Sequence, residues 1–249
     1  MAARTQLQQQ GLLFPGLNGI EVSLGAYGMV TSPADEAMAK GGTSRHRLPA
    51  SQYFTVAAQT QQEEPSSEFL DLNLGREGNI YTETGLVQWY KQAREDVHVN
   101  FGYWTREALA YRTRNGSNLN PMLKQPKKPS KTIEAVLINN YKAEKNAKGE
   151  YVITPLDESG NELNIVEMPS VDWMKASGDM TPAVMKSLGI RQEDIDVLGT
   201  PYVSVYPQEG ALYVLYVDFR YRPVLGSYDV LQDWYPGIGF LSGRVVEQK

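Results

Sequence analysis

Ala211-Leu-Tyr-Val-Leu-Tyr-Val217 is apolar or aromatic at every position. A strand with one wet face alternates apolar and polar residues, so this unbroken run reads as a strand covered on both faces. It continues through Asp218-Phe-Arg-Tyr221, and Tyr202 to Tyr206 just upstream has the same β-branched and aromatic character. With Gln208-Glu209-Gly210 between them, the two runs predict a hairpin.

Working back from this hairpin, Thr181-Pro182 followed by Gly189 predicts a short helix. Threonine caps it, proline fits its first turn, and glycine ends it. Glu193-Asp194-Ile195-Asp196 suits the positive end of a second helix, giving a helical insert near 181–198. Ile133–Ile138 reads as a strand, with Tyr151-Val152-Ile153 as its partner across the lysine-rich turn 142–149. Asp157-Glu-Ser-Gly160 then turns the chain into Leu163–Val166. Residues 132–249 are therefore expected to form a mostly antiparallel β domain, sandwich or barrel-like.

Ahead of it, Lys124-Gln-Pro-Lys-Lys-Pro-Ser-Lys131 holds prolines that remove backbone donors and force extended chain, so 124–131 reads as a linker. Residues 71–123 read as a small helical or mixed region. Leu86, Val87, Tyr90, Ala93 and Val97 recur at helical spacing, and a second helix is expected from Thr105 to Asn115-Gly116. Between them, Asp96-Val-His-Val-Asn100 alternates like a half-exposed strand. Residues 1–70 read as an extended arm with short helices, one starting at Ser32-Pro33. The polar run Ala57–Ser67 reads as solvated linker. The whole is an α+β, β-rich chain.

Composition narrows the chemistry. There are no cysteines among the 249 residues, which excludes disulfides, thiolate–zinc sites and a thiol nucleophile. Only His46 and His98 occur, and no Gly-x-Ser-x-Gly elbow nominates a serine. Gly41-Gly42-Thr43-Ser44 lacks the lysine of a phosphate loop, and the spacing in Gly237-Ile-Gly239-Phe-Leu-Ser-Gly243 does not fit a dinucleotide loop. No catalytic residue, cofactor or metal ligand is nominated. No window has the roughly 18 consecutive apolar residues of a membrane span, and the first residues lack a secretory pattern. Synthesis in the cytosol, without membrane contact, is the expectation.

The charge pattern says more. Residues 1–102 carry 7 basic and 11 acidic side chains (−4), residues 103–148 carry 10 and 3 (+7), and residues 149–249 carry 7 and 15 (−8). In the positive middle, Trp104 and Tyr111 alternate with Arg106, Arg112, Arg114, Lys124, Lys127, Lys128 and Lys131. Rings that stack on bases and cations that follow phosphates make single-stranded nucleic-acid sites, and they equally suit an acidic protein surface. The C-terminal half is rich in Tyr202, Tyr206, Tyr213, Tyr216, Tyr221, Tyr228, Trp234 and Tyr235, amphipathic rings of the kind enriched at subunit contacts. The leading expectation is a non-enzymatic structural protein of a large assembly, such as a virion (tailed-phage capsid, neck or tail), binding copies of itself and neighbouring proteins. On that reading, deleting residues 1–30 leaves a folded monomer that no longer assembles. The second expectation is a nucleic-acid-binding protein using 103–131.

Overall fold

The computed structural model describes residues 11–24, 48–78, 80–100, 102–113, 133–145, 147, 151–157, 159–164, 167–171, 177–204, 213–229, 238–239 and 241–245. The chain opens with an antiparallel hairpin, β1 (Leu12–Leu13) and β2 (Ile20–Leu24). Helices α1 (Ala50–Gln59), α2 (Ser67–Asn73) and α3 (Glu83–Glu95) follow, and α3 runs into a π-helical turn over Asp96–Asn100. Next come β3 (Gly102–Thr113), β4 (Ile133–Ile138), β5 (Tyr141–Lys145), β6 (Tyr151–Pro155), β7 (Ser170–Val171) and β8 (Ser177–Asp179). Two short helices, α4 (Pro182–Leu188) and α5 (Gln192–Leu198), precede β9 (Tyr202–Ser204), β10 (Tyr213–Asp218), β11 (Val224–Asp229), β12 (Ile238–Gly239) and β13 (Leu241–Val245).

The main sheet has the order β7-β4-β3-β10-β11-β9-β8, and β12 pairs with the start of β3. It is mixed, because β9 runs parallel to β11 and β12 parallel to β3 while the other pairs are antiparallel. β13 joins β2 in a small sheet, and β5 pairs with β6 in another. The architecture is mixed α+β and sheet-rich.

Local sequence explains the helix ends. Ser66 Oγ accepts the Phe69 N–H (3.2 Å), Thr82 Oγ1 accepts the Gly85 N–H (3.2 Å), and Thr181 Oγ1 accepts the Val184 N–H (3.4 Å). Gly189, at φ +68°, ends α4 in the left-handed region where a Cβ is strained. One helix start has no such local device. Pro49 precedes α1 and caps nothing, so Glu107 of β3 supplies the acceptor, with both carboxylate oxygens 3.0 Å from the Ala50 N–H. Its burial pushes the carboxyl above its usual range, against the pull of that N–H. The Arg106 N–H donates to the Leu48 carbonyl (3.0 Å), so the entry to α1 is stitched onto β3.

Tyr53 of α1 stacks on Tyr103 (centroids 5.3 Å apart), and Phe54 meets the edge of Phe219 (5.1 Å). Leu86, Trp89, Tyr90 and Ala93 line the buried face of α3. Leu12, Phe14, Leu17 and Val22 of the N-terminal hairpin belong to the same core, with Phe14 packed on Phe69 (5.2 Å) and Trp89 (6.0 Å). The hairpin is also sealed by polar contacts. Asn73 Nδ2 donates to the Leu13 carbonyl (2.8 Å) and Asn73 Oδ1 accepts the Leu13 N–H (2.9 Å), so the amide acts as a neighbouring strand would. Arg76 pairs with the buried Glu21, whose side chain fills the space a Cβ at Gly11 would need.

The structure corrects several local readings. Residues 102–113 form a strand at the middle of the main sheet, where a helix from Thr105 was expected. Asp96–Asn100 is a helical turn, not a strand: the Asp96 carboxylate accepts from Gln92 (3.1 Å) and Asn100 (3.0 Å) and closes it. Tyr151–Pro155 pairs with β5, while Ile133–Ile138 pairs with β3 and β7. Tyr202–Ser204 does not pair with β10 but lies parallel to β11, and the hairpin of β10 is made with β11 about 219–223. β3 and β4, on either side of residues 124–131, are adjacent strands of one sheet. Residues 11–24 and 48–70, within the expected arm, hold the N-terminal hairpin, α1 and most of α2. Ala57 and Ala58 are buried in α1, whereas Gln61–Glu64 are exposed. The helix expected at Ser32-Pro33 lies outside the described residues. The helical insert near 181–198 is present as α4 and α5.

Candidate functional site

Pairing register brings five strand ends to one rim. Gly102 opens β3 opposite Asp218 at the end of β10, Asp218 faces Val224 at the start of β11, Val224 faces Tyr202 of β9, and Tyr202 faces Asp179 of β8. The connections at this rim include the π-helical turn before β3, the α4–α5 insert between β8 and β9, and the tight turn Phe219–Pro223 between β10 and β11.

The tight turn presents Arg220-Tyr221-Arg222. Its centre sorts by chemistry: Phe219 is buried against Phe54, whereas Tyr221 is 100% exposed. Asp218 pins the turn by accepting from the Arg220 backbone N–H (3.0 Å) and from its guanidinium Nε (3.0 Å). Partial burial works against the Asp218 charge, but the Arg220 hydrogen bonds and positive charge hold its carboxyl below the usual range. Arg222 lies over the Tyr202 ring (5.4 Å to its centroid) and pairs with Asp179, an ion pair that faces water. On the π-helical turn Val99 is 63% exposed.

His98 fastens that turn to the rim from below. Its Nε2 lies 3.2 Å from both Thr60 Oγ1 and the Ala57 carbonyl, and its ring meets Phe219 at 6.4 Å. Burial lowers its pKa, with the Arg94 charge acting in the same direction, while hydrogen bonds to the Ala57 and Phe219 backbones oppose the shift. Burial therefore favours the neutral imidazole.

Rings and guanidiniums on a firmly held turn are what protein-contact surfaces are made of, since they bury large area at small conformational cost. Tyr202 and Tyr221 stand in the aromatic series of the sequence, but Val99 and the flanking arginines carried no signal there. Asp218-Phe-Arg-Tyr221 reads in the sequence as the continuation of a strand, whereas the strand ends at Asp218 and the next residues turn.

The residues nominated for polyanion or acidic-partner contact fall elsewhere. Trp104 and Arg106 sit on β3. Trp104 is 3% exposed with its ring against Tyr216 (6.1 Å), and Arg106 is half-buried. Tyr111 and Arg112 lie on the same strand, paired with Ala135 and Glu134 of β4. Arg114, Lys124, Lys127, Lys128 and Lys131 lie outside the described residues. The acidic run 193–196 serves α5: Asp194 turns inward to accept from Arg191 (Nη2, 2.6 Å) and Thr55 (2.9 Å), and Glu193 pairs with Arg191 (2.8 Å). A cavity of about 180 Å³ adjoins this cluster, lined by Asn18, Ser51, Gln52, Thr55 and Arg191 among others. It is smaller than the roughly 300–1,000 Å³ of small-molecule sites, and the Arg191 charge is already met by two carboxylates.

Among the described residues no group of three or more His, Asp or Glu side chains could hold a metal ion, and no helix is long and apolar enough to cross a membrane. No protein-family model, curated protein or solved structure matches this chain.

Proposed function

We propose that this chain is a non-enzymatic structural component of a larger assembly, a virion or comparable particle, acting through contacts with copies of itself and with neighbouring proteins. The observation that carries the reading is Tyr221, wholly exposed between Arg220 and Arg222 on a turn that Asp218 and Phe219 hold in place. A large ring left in water on a rigid support has little to do for the fold, and Tyr and Arg are the side chains that dominate contact energies. The main sheet ends on β7 and β8, strands of 2 and 3 residues, and short edges suit a protein that must associate through chosen surfaces. A barrel-like or sandwich closure of the C-terminal strands belongs to the same proposal. Contact of residues 103–131 with nucleic acid is the reading it competes with.

Size-exclusion chromatography with light scattering tests the proposal. An oligomer free of nucleic acid, brought toward the monomer by Tyr221→Ser with Arg222→Ser, is the expected result. A monomer at every concentration, or a complex held together by nucleic acid, overturns it.

A further inference from the structure

The N-terminal hairpin carries a chemically reactive pair in its own turn. Leu17-Asn18-Gly19-Ile20 is closed by the Ile20 N–H, which donates to the Leu17 carbonyl (2.7 Å). Both central residues lie in the left-handed region, Asn18 at φ +27° and Gly19 at φ +74°. Positive φ at both centres is the condition of a type I′ turn, and Asn-Gly meets it at the least steric cost. The backbone therefore selects this dipeptide. In doing so it sets a side-chain amide next to a main-chain nitrogen that no Cβ shields.

Asn18 is exposed, and among the described residues neither its amide nor the Gly19 N–H has a hydrogen-bond partner. Other asparagines are held. The Asn73 amide donates to the Leu13 and Phe69 carbonyls (both 2.8 Å), and the Asn100 amide donates to Asp96 (3.0 Å). Asn161 is exposed like Asn18, but its backbone N–H (2.8 Å) and its amide (2.9 Å) both donate to the Asp157 carboxylate. Among the described asparagines Asn18 alone precedes a glycine; Asn115-Gly116, the other such pair in the sequence, lies outside the described residues.

We propose that Asn18 is a modification site, which in the folded chain loses its amide through a succinimide and becomes aspartate or isoaspartate. The Gly19 nitrogen gives its proton to water or hydroxide and attacks Asn18 Cγ. The N–Cγ bond forms, the Cγ–Nδ2 bond breaks, and the side-chain nitrogen takes up a proton and leaves as ammonia. Water then opens the five-membered imide at either carbonyl. The sum is amide plus water to carboxylate plus ammonium, with no change of oxidation state.

The two products differ in what they do to the hairpin. Aspartate keeps the main-chain length, tolerates positive φ, and adds a negative charge at the cavity that Asn18 lines with Arg191. Isoaspartate routes the main chain through the side-chain carbon, which puts an extra methylene inside the Leu17–Ile20 turn. Leu17 is 4% exposed in the core, and Ile20 opens β2, whose register sets Leu12 against Val22. A longer turn loosens that seat, so the isoaspartyl chain is the less stable one.

The full-length chain, held in warm, mildly alkaline buffer and mapped as peptides by mass spectrometry, tests this. Asn18 is expected to convert about tenfold faster than Asn161, whose bonds to the Asp157 carboxylate must break first. Electron-transfer fragmentation tells isoaspartate from aspartate. The aged chain should show a melting transition roughly 4 °C below that of the fresh chain. Asn18→Gly, which keeps the positive φ and has no amide, should age without that drop, and freshly made Asn18→Asp should melt with the parent. Asn18 that converts only when the chain is unfolded in urea overturns the site. Conversion with an unchanged melt overturns the effect on the hairpin. An equal drop in Asn18→Gly overturns it too, by tracing the loss to another residue.

Discussion

Two hairpins of this molecule treat their apolar side chains in opposite ways. The N-terminal hairpin turns Leu12, Phe14, Leu17 and Val22 into the core and finishes its polar edge with Asn73, Arg76 and Tyr81, whose hydroxyl donates to the Gly11 carbonyl (2.8 Å). The β10–β11 hairpin buries Phe219 but holds Tyr221 in water, with its polar groups spent on fixing the turn itself. Hairpin form is common to both; what differs is how far the helices cover the turn, since Phe54 of α1 reaches Phe219 while Tyr221 stays wholly exposed. One hairpin is built into the core, and the other leaves a ring in water, where the proposed assembly contact would use it.

The sharpest way to break the comparison is to delete residues 1–30. Four core side chains go with them, so the chain is expected to lose its cooperative thermal transition. A folded monomer after deletion would restore the view of this region as an arm. A milder version is Phe14→Ala, expected to cost about 3–5 kcal/mol in denaturant melts through the cavity left against Phe69 and Trp89. Next comes Asn73→Ala, which removes two hydrogen bonds to the half-buried Leu13 backbone and should cost about 1–2 kcal/mol.

His98 sharpens the comparison through pH. Its folded pKa lies below the ordinary 6.5, so below about pH 6.5 the unfolded chain binds more protons than the folded one. Stability should therefore fall as pH drops from about 6.5 towards the folded pKa, and His98→Gln should flatten that part of the profile. An unchanged slope would show that another group sets it. The smallest effect is expected from Tyr221→Ser, within about 0.5 kcal/mol of the parent in stability, whatever it does to association. A larger loss would mean that the ring serves the fold.

Local pattern made much of the helical part legible. Thr181, Pro182 and Gly189 mark both ends of α4, and the spacing of Leu86, Tyr90, Ala93 and Val97 places the buried side of α3. β3 was illegible for a physical reason. Arg106-Glu-Ala-Leu-Ala110 is built of good helix formers, and its alternation vanishes in a strand covered on both faces, where Glu107 is buried to cap a helix and Thr105 to donate to the Leu215 carbonyl (3.2 Å). The rim was hidden likewise, since Asp179, Tyr202 and Arg222 come together only through a register of strands distant in sequence.

The sequence by itself determined the sheet-rich α+β character, both ends of α4 and the segregation of charge, because each depends on composition or on residues within a turn or two of one another. The double coverage expected of 211–217 is not found, since Leu215 and Val217 are buried while Tyr216 between them is half-buried. Tertiary structure alone decided that β9 lies parallel to β11, that β3 is a strand, that Leu12–Val22 is core and that Tyr221 is not. Strand partners and burial are set by competition among contacts across the whole chain, which no local window contains.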